Sequence, residues 1–155
     1  MTAGVINRNP ALGTSFRMEI PDFPTVNYFA QNCELPGLSM GGIDSPYKNN
    51  QGVLPSNRID YDPWTFSFIV DEDYTNFRIL FAWMKMFERG GGNVVGVFKD
   101  ISLHLLTSNK TGGQKVTFFG AVPMTLSALS FDSGTIEPMP ITCSATFRYQ
   151  YYDFV

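Results

Sequence analysis

The sequence predicts a mainly β protein, an antiparallel sandwich or barrel with one helix packed against it. Three observations carry this prediction. Alternation of apolar and polar residues, the signature of strands buried on one face, recurs from Ser15 to the C-terminal end. Apolar residues at three- and four-residue spacing form a convincing helical stripe once, between Tyr74 and Phe87. The 155 residues suffice for a single domain, residues 1–155, with a real core, and are few for two.

Residues 1–13, with Asn7, Asn9, Pro10 and Gly13, show no periodicity and read as an N-terminal arm. Ser15 to Ile20 alternates and is the first strand, ended by Pro21 and Pro24. Val26 to Cys33 reads as a second extended segment leading into a Pro36-Gly37 turn. Residues 41–63 are rich in Gly, Pro, Asn, Asp and Ser and too long for an ordinary connection. Val53-Leu54 and Ile59-Asp60-Tyr61 can form extended pieces within this segment, which is either a long loop or a protruding hairpin.

Trp64 to Val70 is an aromatic strand, followed by the helix. Tyr74, Phe77, Leu80, Phe81, Met84 and Phe87 fall on one stripe, with Asp71 or Asp73 as cap and Gly90 as stop. Gly90-Gly91-Gly92-Asn93 then supplies left-handed conformations, without the Lys-Ser or Lys-Thr of a phosphate loop. The last third predicts strands at Ile101 to Thr107, Lys115 to Val122, Met124 to Phe131 and Ile141 to Phe154, with a hairpin turn from Asn109 to Gly113 between the first two. In the last strand Ile141, Cys143, Ala145, Phe147, Tyr149 and Tyr151 share one face, and Thr142, Ser144, Thr146, Arg148, Gln150 and Tyr152 the other.

Apolar residues make up 44 % of the chain and charged residues only 16 %, which fits either an exterior partly covered by other subunits or a dense core. With a net charge of −3 and no Lys/Arg cluster, tight nucleic-acid binding has no electrostatic source. No leader and no apolar run of bilayer length stands out, so a soluble protein that starts in the cytoplasm and does not insert into a membrane is expected.

Chemistry is sparse. His104 is the single histidine, which excludes mechanisms and metal sites needing two imidazoles. Cys33 and Cys143 lie far apart without a CxxC pattern and read as small buried hydrophobes. A G-x-S-x-G elbow is absent. Asp60 and Asp62 flank Tyr61 just before Pro63, a turn context, and Asp71, Glu72 and Asp73 precede a helix whose dipole favours negative charge. No catalytic, cofactor-binding or metal-ligating residue is assigned, and the protein is not expected to be an enzyme. The polar strand positions, Thr65 and Ser67, Ser102 and His104, and Thr142, Ser144 and Thr146, make a face of short, mostly neutral side chains.

The order of these features resembles the tail tube proteins of contractile-tailed bacteriophages. The resemblance rests on a strand ending at "NCELPGL", a long loop, "YDPWTFSFIVDEDYTNFRILFAW" running strand into helix, and a closing "ITCSATFRYQYY", with Trp64-Thr65, Phe77 and Trp83 as anchors. It implies a structural virion protein, assembled in the host cytoplasm, whose sheets join those of neighbours into homohexameric rings. Such rings stack into a tube through which DNA passes without specific binding. Implied partners are other copies of the chain, a tail sheath protein, and baseplate and tube-terminator proteins. A DNA channel should avoid phosphate-gripping cations, so Thr65, Ser67, Thr142, Ser144 and Thr146, with Glu19, are candidate lumen-lining residues. Arg17 and Arg148 run counter to this unless they pair with acids or lie near an interface. The long loop implies ring-stacking contacts at Asp44, Tyr47, Lys48, Asn50, Leu54, Arg58 and Asp60. A baseplate tube initiator and a secretion or contractile-injection tube subunit share these expectations. A carbohydrate- or ligand-binding β-sandwich, motivated by Trp64, Trp83 and the seven tyrosines, is the alternative from another class.

Overall fold

Alternation along Trp64–Ile69 builds a central strand: Trp64, Phe66 and Phe68 are fully buried, and Thr65 between them stands in solvent. The structure, a computed structural model, describes residues 10–11, 13–47, 50–88, 97–134 and 136–155. Most of the expected arm, the Gly90 stop and the glycine run lie outside the described residues. The elements are β1 (Phe16–Glu19), α1 (Pro24–Tyr28), β2 (Ala30–Cys33), β3 (Leu38–Tyr47), β4 (Asn50–Tyr61), β5 (Trp64–Ile69), α2 (Thr75–Glu88), β6 (Lys99–Leu106), β7 (Gly113–Leu126), β8 (Thr142–Arg148) and β9 (Tyr151–Phe154).

The strands follow the order β1-β6-β7-β8-β5-β2 with antiparallel pairing throughout, β9 also pairs β7, and β3 and β4 form a separate hairpin. The long strand β7 belongs to two sheets. Its first half pairs β6 and β9, and Val122–Leu126 pairs β8. Gly120, with φ of 63°, sits at the bend between them. A side chain there would be strained by the backbone angle and would meet Gln150. At this corner the core-facing parity switches, from Val116 and Phe118 to Ala121 and Pro123 on β7. Between the two sheets Trp64 stacks on Phe118 at 4.5 Å, within the second sheet Phe66 stacks on Phe147 at 5.4 Å, and Trp83 from α2 packs against Phe147.

The structure corrects several sequence expectations. Val26 to Cys33 is not one extended segment, because Pro24 opens the short helix α1. Asn27 holds that helix to β1's end, its Oδ1 accepting from Ile20 N–H at 2.8 Å and its Nδ2 donating to Ile20 C=O at 3.2 Å. Lys115–Val122 and Met124–Phe131 are not two strands, since β7 runs through Pro123. A missing N–H is tolerated there because this half of β7 is paired on one side only among the described residues. Ile141–Phe154 is interrupted after Arg148, where the partner strand bends; beyond the break Tyr152 is half-buried and Tyr151 exposed, reversing the expected faces.

The helix turns differently from its predicted stripe. Its buried residues are Asn76, Leu80 and Trp83, whereas Tyr74 and Phe81 are exposed. Asn76 explains the rotation. Its Nδ2 donates to the Ile69 carbonyl at 2.8 Å, its Oδ1 accepts from the Phe77 and Asp71 amides, and Asp71 Oδ1 accepts from the Asn76 amide. Asp71, of the two candidate acids, therefore makes the capping contact, and the helix start is tied to the end of β5. Replacing the buried Asn76 by Ala leaves the Ile69 carbonyl without this donor and is expected to cost about 1–3 kcal/mol, read as a lower urea midpoint with an unchanged m-value.

Candidate functional site

The antiparallel register of β5 and β8 places Thr65 opposite Thr146, Ser67 opposite Ser144 and Ile69 opposite Thr142. Opposed residues share a face, so Thr65, Ser67, Thr142, Ser144 and Thr146 form one contiguous patch on the outer side of the second sheet. Thr65 and Thr146 join hydroxyl to hydroxyl at 3.1 Å. Two neighbours extend the patch beyond the residues read from sequence: Asn32 on β2, opposite Ser67, and Thr125 on β7, opposite Thr146. Thr125 falls within the predicted strand Met124 to Phe131, and alternation alone does not say that it pairs Thr146.

Glu19, Ser102 and His104 lie elsewhere. Glu19 pairs Ser102, and Arg17 pairs His104, on the outer face of the first sheet. His104 Nε2 lies 3.3 Å from Glu19 Oε2. Thr117 pairs Ser102 and Asp153, and Lys115 pairs His104, giving this face interleaved charges of both signs. The single polar sheet face expected from the sequence is thus two faces of opposite character, one neutral and one charged, because the strands carrying them pair into different sheets. Arg148, exposed, is a cation on the neutral face.

The segment 41–63 resolves as the hairpin alternative. Leu38 pairs Tyr61 and Met40 pairs Ile59, so these four share a face, and a register shift follows after Met40. Tyr61 packs on Tyr149 and Tyr152 of the main body, and farther out Met40 and Ile59 are 54 % and 43 % exposed. On the opposite face Arg58 Nε donates to Asp60 Oδ1 at 2.9 Å. Asp44 and Leu54 are also exposed. Tyr47 and Asn50 pair through the backbone at the distal end, and Lys48 lies outside the described residues. A two-stranded hairpin is marginal alone in water, and this one exposes apolar side chains far from its root.

The root is fastened at both strands. Tyr149 donates its hydroxyl to the Asp62 carbonyl at 2.6 Å, Tyr152 donates to the Pro36 carbonyl at 3.0 Å, and the Asp62 amide donates to the Gly37 carbonyl at 3.2 Å. Burial first, then Tyr152, Asp62 and Tyr61, pushes the Tyr149 hydroxyl well above the ordinary tyrosine value, and burial and Tyr61 raise Tyr152. Burial likewise pushes the half-buried Cys33 thiol up to about 11, away from nucleophilic use, and Cys143 is fully buried. Among the described residues no His, Cys, Asp and Glu come together in a group of three able to hold a metal. No described helix is long and apolar enough to cross a membrane.

No family model matches the chain. It is similar to the tail tube terminator protein of Enterobacteria phage T4, 26 % identical over 93 % of this chain and 88 % of that protein. Its fold matches a chain of the anti-feeding prophage cap, the tube-terminating cap, with a TM-score of 0.73 and 17 % identity over 100 % of this chain and 99 % of that one. It also matches a chain of the sheath/tube terminator of the extracellular contractile injection system PVC in its extended state, with a TM-score of 0.72 and 18 % identity over 95 % and 97 %. The resemblance to tail tube proteins of contractile systems is borne out by these matches.

The raised tyrosines have an alkaline signature. A folded-state value above the unfolded one means that the stabilisation is fully present below pH 10.0, the ordinary tyrosine value, and is lost as pH climbs toward the folded value, because the unfolded chain gives up its proton first. The urea midpoint is expected to hold steady to that pH and then fall, and Tyr149→Phe should flatten the fall.

Proposed function

We propose that this chain is a ring-forming structural subunit of a contractile tail's tube: six copies close into a ring, and rings stack around a channel that passes DNA. The observation that carries the reading is the second sheet. Its four strands, β7, β8, β5 and β2, run alternately up and down, and among the described residues β2 and the Val122–Leu126 half of β7, which border it, each have a neighbour on one side only. Unpaired edges are a liability in a lone molecule, and joining them between copies removes it. Because the number of strands is even, β2 of one copy meets β7 of the next antiparallel, so the pattern continues across every junction.

Six such sheets supply twenty-four strands, four from each copy. At a spacing of about 4.8 Å and a tilt of about 40°, they enclose a backbone cylinder roughly 48 Å across, which leaves room for a duplex after side chains are added. The lumen then carries Thr65, Ser67, Thr142, Ser144 and Thr146, hydroxyls that offer no fixed cations to displace the counterions of DNA. The charged face bearing Glu19 lies outside this lining. The β3–β4 hairpin, with exposed apolar residues and Asp44, Leu54, Arg58 and Asp60, reaches the adjacent ring or copy. Sheath, baseplate and terminator proteins are the further partners, and the setting is the virion.

A second reading, a terminal ring that closes the tube, is favoured by the similarity to the phage T4 tube terminator. The two readings differ in amount: a tube subunit is abundant in the particle, and a terminator forms one ring.

Electron microscopy of the purified protein is expected to show hollow rings or tubes; a monodisperse monomer at high concentration would remove the proposal. Substituting a two-residue turn for residues 42–55, whose end residues Gly42 and Pro55 are paired, keeps the fastened root. The variant is expected to fold and form rings but not to stack, and unimpaired stacking would take the hairpin out of that role.

A further inference from the structure

On the strands of the second sheet the neutral outer face carries one cation, Arg148, and the residue following β2 adds one acid, Glu34. Cys33 pairs Phe66 on the core side, and the Glu34 amide donates to the Thr65 carbonyl, so Glu34 continues the ladder with its side chain on the same outer face as Thr65. It is exposed and stands at the open β2 edge. Arg148, also exposed, lies opposite Val122, the first residue of the open half of β7. Neither is in an ion pair among the described residues. The two charges therefore mark opposite margins of one face.

We infer that Glu34 of one copy pairs with Arg148 of the next, and that this ion pair fixes the register of the seam between them. The inference rests on the ring reading above. Across the sheet Glu34 is level with Thr65, Thr146 and Thr125, and Arg148 is two residues along from Thr146, so the charges lie within one pleat repeat of a common row. An arginine one strand in from the edge reaches over the intervening Val122 toward the seam. Backbone pairing alone specifies this edge poorly, because Pro123 lacks an N–H and the register shifts between Pro123 and Thr125. A charge pair supplies the missing discrimination, since a slipped alignment separates it. It also neutralises the cation that otherwise faces the channel.

The test uses charge reversal in the full chain. Glu34→Arg and Arg148→Glu are each expected to lower the assembled fraction at least about tenfold in sedimentation, because like charges then meet at every seam. Mixed one to one, the two variants alternate around a ring and pair opposite charges at each junction, so assembly should return; the double variant should assemble alone. Circular dichroism and tryptophan fluorescence of each variant separate misfolding from lost assembly. Wild-type protein that fails to assemble overturns the ring reading and the seam with it. Wild-type assembly together with single variants that assemble equally well, or folded single variants that the mixture and the double variant do not rescue, overturns the seam alone.

Discussion

The bend of β7 at Gly120 is the constraint on which the rest of the molecule depends. One strand serves two sheets, and the angle at which it turns sets how the sheets face each other. The positive φ permits the turn, the Gly120 amide donates to Asp100 Oδ1 at 2.9 Å, and the Gln150 amide donates to the Phe119 carbonyl across the corner. Trp64 reaches Phe118 because β5 and the first half of β7 lie on opposite sides of this corner. Two aromatic surfaces are thus pressed together by a single backbone angle, and each sheet is left with an outer face of its own.

Those faces differ because strand pairing sorts side chains that alternation cannot. The hydroxyl row of β5 and β8 was legible in the sequence, since each strand alternates cleanly and the two are neighbours. Ser102 and His104 have the same local pattern, yet their strand pairs β1 and β7, which places them among Arg17, Glu19 and Lys115. Pairing partners are a long-range property, and period-2 spacing carries no record of them. For the same reason Glu34, within the quoted "NCELPGL" segment, gave no signal: its position matters only once β2 is known to be an outer strand.

Elsewhere the local rules were outweighed. Pro123 reads as a strand terminator, and burial of Ala121 and Pro123 on one side of an outer strand carries β7 past it. Tyr74 and Phe81 fit an apolar stripe, but the hydrogen bonds of Asn76 to the end of β5 turn another face of α2 inward, a case of a buried polar side chain deciding an orientation that hydrophobicity left ambiguous. Pro24 both follows the end of one segment and begins another, since its fixed φ suits the first turn of α1. The hairpin was legible as an excess of turn formers, while its anchoring by the hydroxyls of Tyr149 and Tyr152, far along the chain, was not.

The parity of the second sheet bears on symmetry. With an even set of alternating strands, the backbone at a junction is indifferent to the number of molecules joined: any closed circle leaves every contact antiparallel, and so does an open arc. In the proposed ring, circumference is then set by the wedge angle between copies, which falls to the side chains at the margins. On that proposal, a narrower or wider ring would require changed side chains at the borders of the sheet and would leave its ladder chemistry untouched.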